Sequence, residues 1–308
     1  MNEKKIIVIA GPTASGKSKL AMKLAESINA EIVSADSMQI YRYMDIGTAK
    51  PDKVERLRVA HHMIDVVDPD EPFSAARYRK EAAEAIDDII ARGGIPIICG
   101  GTGLYIRVLT RGIFEGPAED PGYREELSAL AKKKGTPLLH ERLREVDPQS
   151  AEKIHPNNRA RLIRALEVFK STGRPLSAFH AEHAFSESPY DALKLYIERP
   201  RRALYERINQ RSGQMITRGL LEETEALLKR GYREDLKPMR SLGYKEMAGV
   251  LNGTWSMEEA TELLKKNTRN YAKRQVTWFK KEPGFLWQQI DGEKEPDKIK
   301  ELIKGHLE

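Results

Sequence analysis

Eight residues near the start of the chain, Gly11-Pro12-Thr13-Ala14-Ser15-Gly16-Lys17-Ser18, have the types and spacing needed to hold a phosphate. They read G-x-x-x-x-G-K-S. Gly11 and Gly16 permit backbone turns closed to other residues, so successive N–H groups can face one anion. A helix beginning near Lys17 brings the positive end of its dipole to the same spot. Lys17 adds a mobile charge for a terminal phosphate, and the Ser18 hydroxyl is of the kind that holds Mg²⁺. The motif has this meaning only between a strand and a helix. Lys4–Ala10 is an apolar run suited to a buried strand, and Leu20, Leu24 and Ile28 share one face of a helix over Lys19–Ile28. A plain glycine turn would not require that combination.

A carboxylate comes next. Glu31–Asp36 is strand-like and ends on its acid. Strand carboxyl ends form the ligand edge of a parallel sheet, so Asp36 should emerge beside the phosphate loop. It could cap a turn, hold Mg²⁺ or act as general base toward a nucleophile; its position favours the base. A third strand, Ile95–Cys99, runs into Gly100-Gly101-Thr102-Gly103. Motor and switch NTPases usually carry an acid there to organise Mg²⁺ and water, so hydrolysis-driven motion is disfavoured. The turn either brings N–H and hydroxyl donors, Thr102 among them, to a substrate oxygen or simply joins strand to helix. Arg207 and Arg211, four apart on a helix over Arg201–Arg218, share a face that could clamp a diphosphate or face water.

The elements that position these groups spell an α/β fold: a P-loop NTPase-like parallel sheet flanked by helices, with an inserted all-helical subdomain. His62–Val67, Leu193–Ile197 and Phe285–Ile290 read as further strands, and Ser74–Arg92 as a helix. Asp45–Pro51 reads as a surface excursion. Glu115–Gly122 is linker-like, and Tyr123–His183 is helical and punctuated by prolines. The expected division is 1–116 with 191–308 for the core and 117–190 for the insert. Within the insert, Leu162, Leu166 and Phe169 define an apolar face, with Arg161 and Arg164 opposite. A further helix lies between Gly219 and Gly231, followed by a basic turn over Pro238–Lys245. Ser256–Glu282 is the longest helix. Met257, Ala260, Leu264, Tyr271 and Trp278 share one side, while Lys266, Arg269, Lys273 and Lys280 fall in a stripe of about 60° that Arg274 widens. With Asn270 and Gln275 nearby, that stripe reads as a nucleic-acid backbone track or a solvated face.

Composition agrees with a polyanionic partner: 308 residues carry a formal charge of +6 with a pI near 9.1. One cysteine, Cys99, excludes an internal disulfide, and seven histidines lack ligand spacing. No leader-like or membrane-length apolar run is present, which predicts a soluble, cytoplasmic protein with no membrane partner.

In order, GPTASGKS, DSMQIYR from Asp36, MDIGTAKP from Met44, GGTGLY from Gly100, NNRARLIRALEV from Asn157, RSLGYKE from Arg240 and TRNYAKRQVTWF from Thr268 resemble the bacterial tRNA dimethylallyltransferase family. The likeness runs from about Lys5 to Phe279, and the zinc-finger extension of eukaryotic relatives has no counterpart. It implies transfer of a dimethylallyl group from dimethylallyl diphosphate to N6 of adenosine 37 in tRNAs reading codons that begin with U. The loop from Gly11 to Ser18 would then hold the diphosphate, with Mg²⁺ at Ser18. Asp36 would take the N6 proton, with Lys17 and Thr102 as further catalytic groups. Arg211, with Arg207 in reserve, would clamp the diphosphate. Ser37, Met38 and Gln39 would approach the extruded base beside Asp36 and Thr102, Gln39 reading its edge. Arg124, Arg161, Arg164 and Arg240 would touch tRNA, as would the stripe at Arg269, Lys273 and Arg274. A monomer is expected. The stretch Tyr196-Ile-Glu-Arg-Pro200 departs from the family pattern, which leaves the arginine clamp open. The rival readings are a P-loop kinase of a nucleoside or small metabolite and a nucleic-acid-binding module with a vestigial loop.

Overall fold

Six strands pair in parallel throughout, in the order β3-β2-β4-β1-β5-β6, in the computed structural model, which describes residues 4–113, 116–117, 119–183, 189–290 and 297–308. The strands are β1 (Lys5–Ala10), β2 (Ala30–Ala35), β3 (His61–His62), β4 (Ile95–Gly100), β5 (Asp191–Glu198) and β6 (Phe285–Gln289). Parallel neighbours need helical crossovers, and these supply both faces of the sheet. Helix α1 (Lys17–Ser27) follows β1, α2 (Lys53–Arg58) precedes β3, and α3 (Ala75–Ala91) leads to β4, which runs into α4 (Gly103–Arg111). The central strands are apolar without alternation, as burial on both faces demands: Ile6, Ile7, Val8, Ile9 and Ala10 are fully buried. The Tyr78 ring of α3 stacks on Tyr105 of α4 at 3.9 Å, and its hydroxyl donates to the Ser34 carbonyl of β2 at 3.1 Å.

Five helices follow: α5 (Pro121–Lys134), α6 (Pro137–Val146), α7 (Pro148–Lys153), α8 (Arg159–Thr172) and α9 (Leu176–His183). The chain divides into two compact units, 1–110 with 188–308 and 111–187. Glu115 and Ala118 of the linker-like stretch lie outside the described residues. Back in the larger unit come α10 (Arg201–Thr217), α11 (Leu220–Lys229), α12 (Tyr244–Leu251), α13 (Met257–Phe279) and, after β6, α14 (Asp297–Leu307). α13 starts on a capping box in which Ser256 and Glu259 satisfy each other's backbone N–H groups. Leu204 and Ile208 of α10 pack with Ala272 of α13.

Two expectations about local structure change. His62–Val67 is not a strand beyond His62, because Met63 and Asp65 take φ of 60° and 56°, where extended pairing ends. Asp65 turns out of line to receive Lys50 at 2.7 Å and Arg56 at 2.6 Å. Nor is Asp45–Pro51 a mere surface excursion. Lys50 is buried, binding Asp45 at 2.6 Å and the Tyr41 carbonyl at 2.8 Å, and the Glu223 carboxylate of α11 receives the Asp45, Ile46 and Gly47 N–H groups.

Inside the helical unit, Glu167 of α8 has a fully buried side chain. It accepts from Arg124 Nε at 2.7 Å, from Arg164 at 2.5 Å and from the Asp120 N–H at 2.8 Å. These contacts hold its carboxyl below the ordinary value despite burial, which works the other way. Glu167→Gln should therefore leave two guanidinium groups short of a counter-charge and cost about 3 kcal/mol. A lowered unfolding midpoint in urea would register this; an unchanged midpoint would show that the arginines rehydrate without loss.

Candidate active site

The ligand edge of the sheet is assembled by register. Ala10 pairs with Gly100 and with Tyr196, and Ala35 also pairs with Gly100, so β1, β2, β4 and β5 end side by side. From these ends come the phosphate loop, Asp36, Gly101-Thr102 and Arg199. In the loop, Ala14 has φ 63° and Gly16 φ 99°. A non-glycine residue in the left-handed region is uncommon and clusters at ligand sites. The Lys17 ammonium donates to the Pro12 carbonyl at 3.2 Å, and the Ser15 N–H donates to the same oxygen at 3.2 Å. The Ser15 hydroxyl is buried and has no hydrogen-bond partner among the described residues. Burial lowers the Lys17 pKa, Cys99 and Asp36 oppose this, and Arg211 adds to it.

Lys17, Ser18, Asp36, Ser37, Met38 and Gln39 open into one cavity of about 470 Å³, whose far wall includes Arg211, Arg240, Tyr271 and Arg274. Asp36 Oδ1 accepts from the Met38 N–H at 2.9 Å, which gives this residue a turn-forming role. The Thr102 hydroxyl accepts from the Ser37 N–H at 3.0 Å, which brings the β4 turn against the segment that leaves β2. Gln39 differs from expectation: Oε1 accepts from the Ser34 hydroxyl at 2.9 Å, and Nε2 donates to the Thr48 and Ala49 carbonyls at 3.3 Å. Its amide is thus committed to shaping the cavity wall rather than presented as a reading edge. Cys99 lies at the same floor, its thiol pushed up to about 11 by burial.

Arginines hold the loop from outside. Arg207 Nε donates to the Ala14 carbonyl at 3.0 Å, Arg211 to the Thr13 hydroxyl at 3.4 Å, and Arg199 Nε to the Ser15 carbonyl at 2.7 Å. Both candidate clamps therefore reach the loop, and Arg211 also lines the main cavity. Burial opposes the Arg211 charge, and Asp36 supports it. No group of three or more His, Cys, Asp or Glu residues that could hold a metal exists among the described residues. Ser18 beside the loop suits Mg²⁺, which keeps waters and substrate phosphates as its other ligands.

The family described as IPP transferase matches residues 39–282. The chain belongs to the IPP transferase family. It is 53% identical over 283 residues to the tRNA dimethylallyltransferase of Geobacter sulfurreducens, covering 92% of this chain and 91% of the relative. It is 48% identical to that of Desulfosudis oleivorans, covering 98% and 96%. The full-length tRNA isopentenylpyrophosphate transferase of Bacillus halodurans superposes with a TM-score of 0.70 at 40% identity, covering 99% of this chain and 95% of that one. A eukaryotic dimethylallyltransferase captured acting on tRNA gives 0.78 at 31%, covering 92% and 73%.

Within this IPP transferase fold the expected RNA-facing residues separate into two groups. Lys273 and Arg274 of α13 are exposed, Arg274 standing over the Tyr271 ring, and Arg161 is exposed on α8. Arg269 instead binds Asn209 at 2.5 Å, and Arg124 and Arg164 serve Glu167. Gln275 was expected beside the basic stripe. It is buried and reaches the phosphate loop, where Oε1 accepts from the Thr13 N–H. A signal for its burial, though not for its partners, existed: Gln275 follows Tyr271 by four and precedes Trp278 by three, which places it on the apolar face. Arg199 had no such signal beyond the departure from family pattern at Tyr196–Pro200.

Proposed function

We propose that this chain transfers the dimethylallyl group of dimethylallyl diphosphate to N6 of adenosine 37 in tRNA, releasing diphosphate. The observation that carries the reading is the meeting of Asp36 and the phosphate loop's Thr13, Ala14, Lys17 and Ser18 in one cavity, with the Thr102 hydroxyl bound to the neighbouring Ser37 N–H. The bond from C1 to N6 forms as the bond from C1 to the diphosphate oxygen breaks, and the N6 proton passes to Asp36. Negative charge grows on the leaving diphosphate, where the loop amides, Lys17 and Arg211 lower the barrier by electrostatics. Mg²⁺ held at Ser18 would supply further positive charge to that group. An aromatic amine is a poor nucleophile, so proton removal matters as cationic character develops at C1. The target base must leave its stack to reach the cavity. Met38 and Ser37, whose edges are less committed than that of Gln39, are the near contacts for it. The tRNAs concerned are those reading codons that begin with U, and the enzyme works as a cytoplasmic monomer. The helical unit, over 111–187, supplies a second RNA contact through Arg161.

Radiolabelled dimethylallyl diphosphate and undermodified tRNA test the reading directly. Label should enter tRNA and be lost when adenosine 37 is replaced by guanosine. ATP consumption with a nucleoside, and no label, would instead establish a kinase. The exposed α13 residues give a separate prediction. Lys273→Ala should weaken tRNA binding at low salt and flatten the slope of log K against log salt by about 0.7–0.9, one phosphate contact. An unaltered slope would return Lys273 to an ordinary solvated surface.

A further inference from the structure

Gln275 joins two loops that the mechanism needs in register. Only 6% exposed, it accepts from the Thr13 N–H at 2.9 Å and donates through Nε2 to the Gly101 carbonyl at 2.9 Å. The approach is close enough that a side chain at residue 101 would displace the amide. A Cβ on Gly101 would lie 2.2 Å from Nε2, so glycine and glutamine are fitted to one another. Gly101 precedes Thr102, whose hydroxyl takes the Ser37 N–H next to Asp36. On the other side, the Thr13 N–H and the Pro12 carbonyl belong to one planar trans peptide and point in opposite directions. Drawing the N–H toward Gln275 aims the carbonyl at the Lys17 ammonium and the Ser15 N–H, both 3.2 Å away.

We propose that Gln275 is a positioning residue for the donor: by fixing the Pro12–Thr13 peptide it sets the place of Lys17 under the diphosphate, and by holding Gly101 it keeps Thr102 beside Asp36. This rests on the transfer reading above. Gln275 touches neither substrate in this role and acts through two backbone groups. Without it, the buried Gly101 carbonyl and the half-buried Thr13 N–H would lose these bonds. Residues 262 apart in sequence are thereby locked together on the helix that also carries Lys273 and Arg274.

The test compares Gln275→Leu and Gln275→Glu with the parent protein in steady-state prenyl transfer. The leucine removes both hydrogen bonds and should raise KM for dimethylallyl diphosphate by about ten-fold or more. Its Kd for tRNA without donor should stay within about two-fold, because no RNA contact is lost. The glutamate, when protonated, reproduces the amide's pattern of one acceptor and one donor; when ionised, it sets an oxygen against the Gly101 carbonyl. Its kcat/KM for the donor, as a ratio to the parent, should therefore approach one in acid and fall about ten-fold as pH rises. A purely structural glutamine predicts a flat ratio and an unchanged donor KM in the folded fraction, and either result overturns the proposal. Should the leucine variant fail to fold, the pH profile of the glutamate variant decides. Transfer by the parent protein in the same assay keeps the function separate: its absence would sink the transfer reading, whereas transfer with unresponsive variants would sink the role of Gln275 alone.

Discussion

Asp36→Asn should reduce prenyl transfer by roughly 10²–10⁴-fold, the range for a lost general base, while tRNA affinity stays within about three-fold. Asparagine is the informative substitution because of what Asp36 does structurally. Its Oδ1 accepts from the Met38 N–H at 2.9 Å and so shapes the turn leaving β2. An asparagine carbonyl can accept the same bond, so the segment over Ser37, Met38 and Gln39 should keep its course. What disappears is the negative charge and the capacity to take a proton. That charge reaches well into the site: it supports the cationic forms of Lys17 and Arg211 and helps burial to raise the Tyr271 hydroxyl. Part of the lost rate will therefore come from weaker support of positive charge near the donor. Single-turnover rates with saturating donor isolate the chemical step, and filter binding gives the RNA affinity. A single-turnover rate within about ten-fold of the parent would remove Asp36 from proton transfer.

The legibility of this site divides along a physical line. The phosphate loop could be read because its function is written locally: backbone amides, a lysine and a serine within eight residues, with the flanking strand and helix visible as apolar patterns. Asp36 could be placed because parallel strands deliver their carboxyl ends to one edge, a rule that needs no knowledge of partners. Gln275 could not, because its partners lie on loops distant in the chain and periodicity reports only which face is buried. The same limit applies to Lys50, whose burial among Asp45, Asp65 and the Tyr41 carbonyl turns a charged loop into part of the cavity wall. The arginines of the helical unit show the converse. Arg164 lies opposite the apolar residues by helical spacing, yet Glu167, three residues on, draws it and Arg124 into an internal pair. A helix wheel records exposure of an arginine but not whether an acid already holds it.

Lys17→Met, which keeps the aliphatic stem and deletes the charge, should lower kcat/KM for dimethylallyl diphosphate by about 10²–10³-fold, the scale for one donor aimed at developing negative charge. The pH dependence of the parent protein should report the same group. In the free protein the Lys17 pKa lies below 10.5, chiefly because burial disfavours its charged form. The cation that binds diphosphate dominates below that lowered pKa and is lost as pH rises through it. Accordingly kcat/KM for the donor should fall on an alkaline limb centred below 10.5, since this parameter follows the free protein. Bound diphosphate brings negative charge against the ammonium and raises its pKa, so the limb in kcat should lie at higher pH. In Lys17→Met the limb in kcat/KM should vanish along with the rate. A limb that persists in this variant would have to belong to another group, and Lys17 would then serve to hold the loop through the Pro12 carbonyl rather than to bear the leaving group's charge.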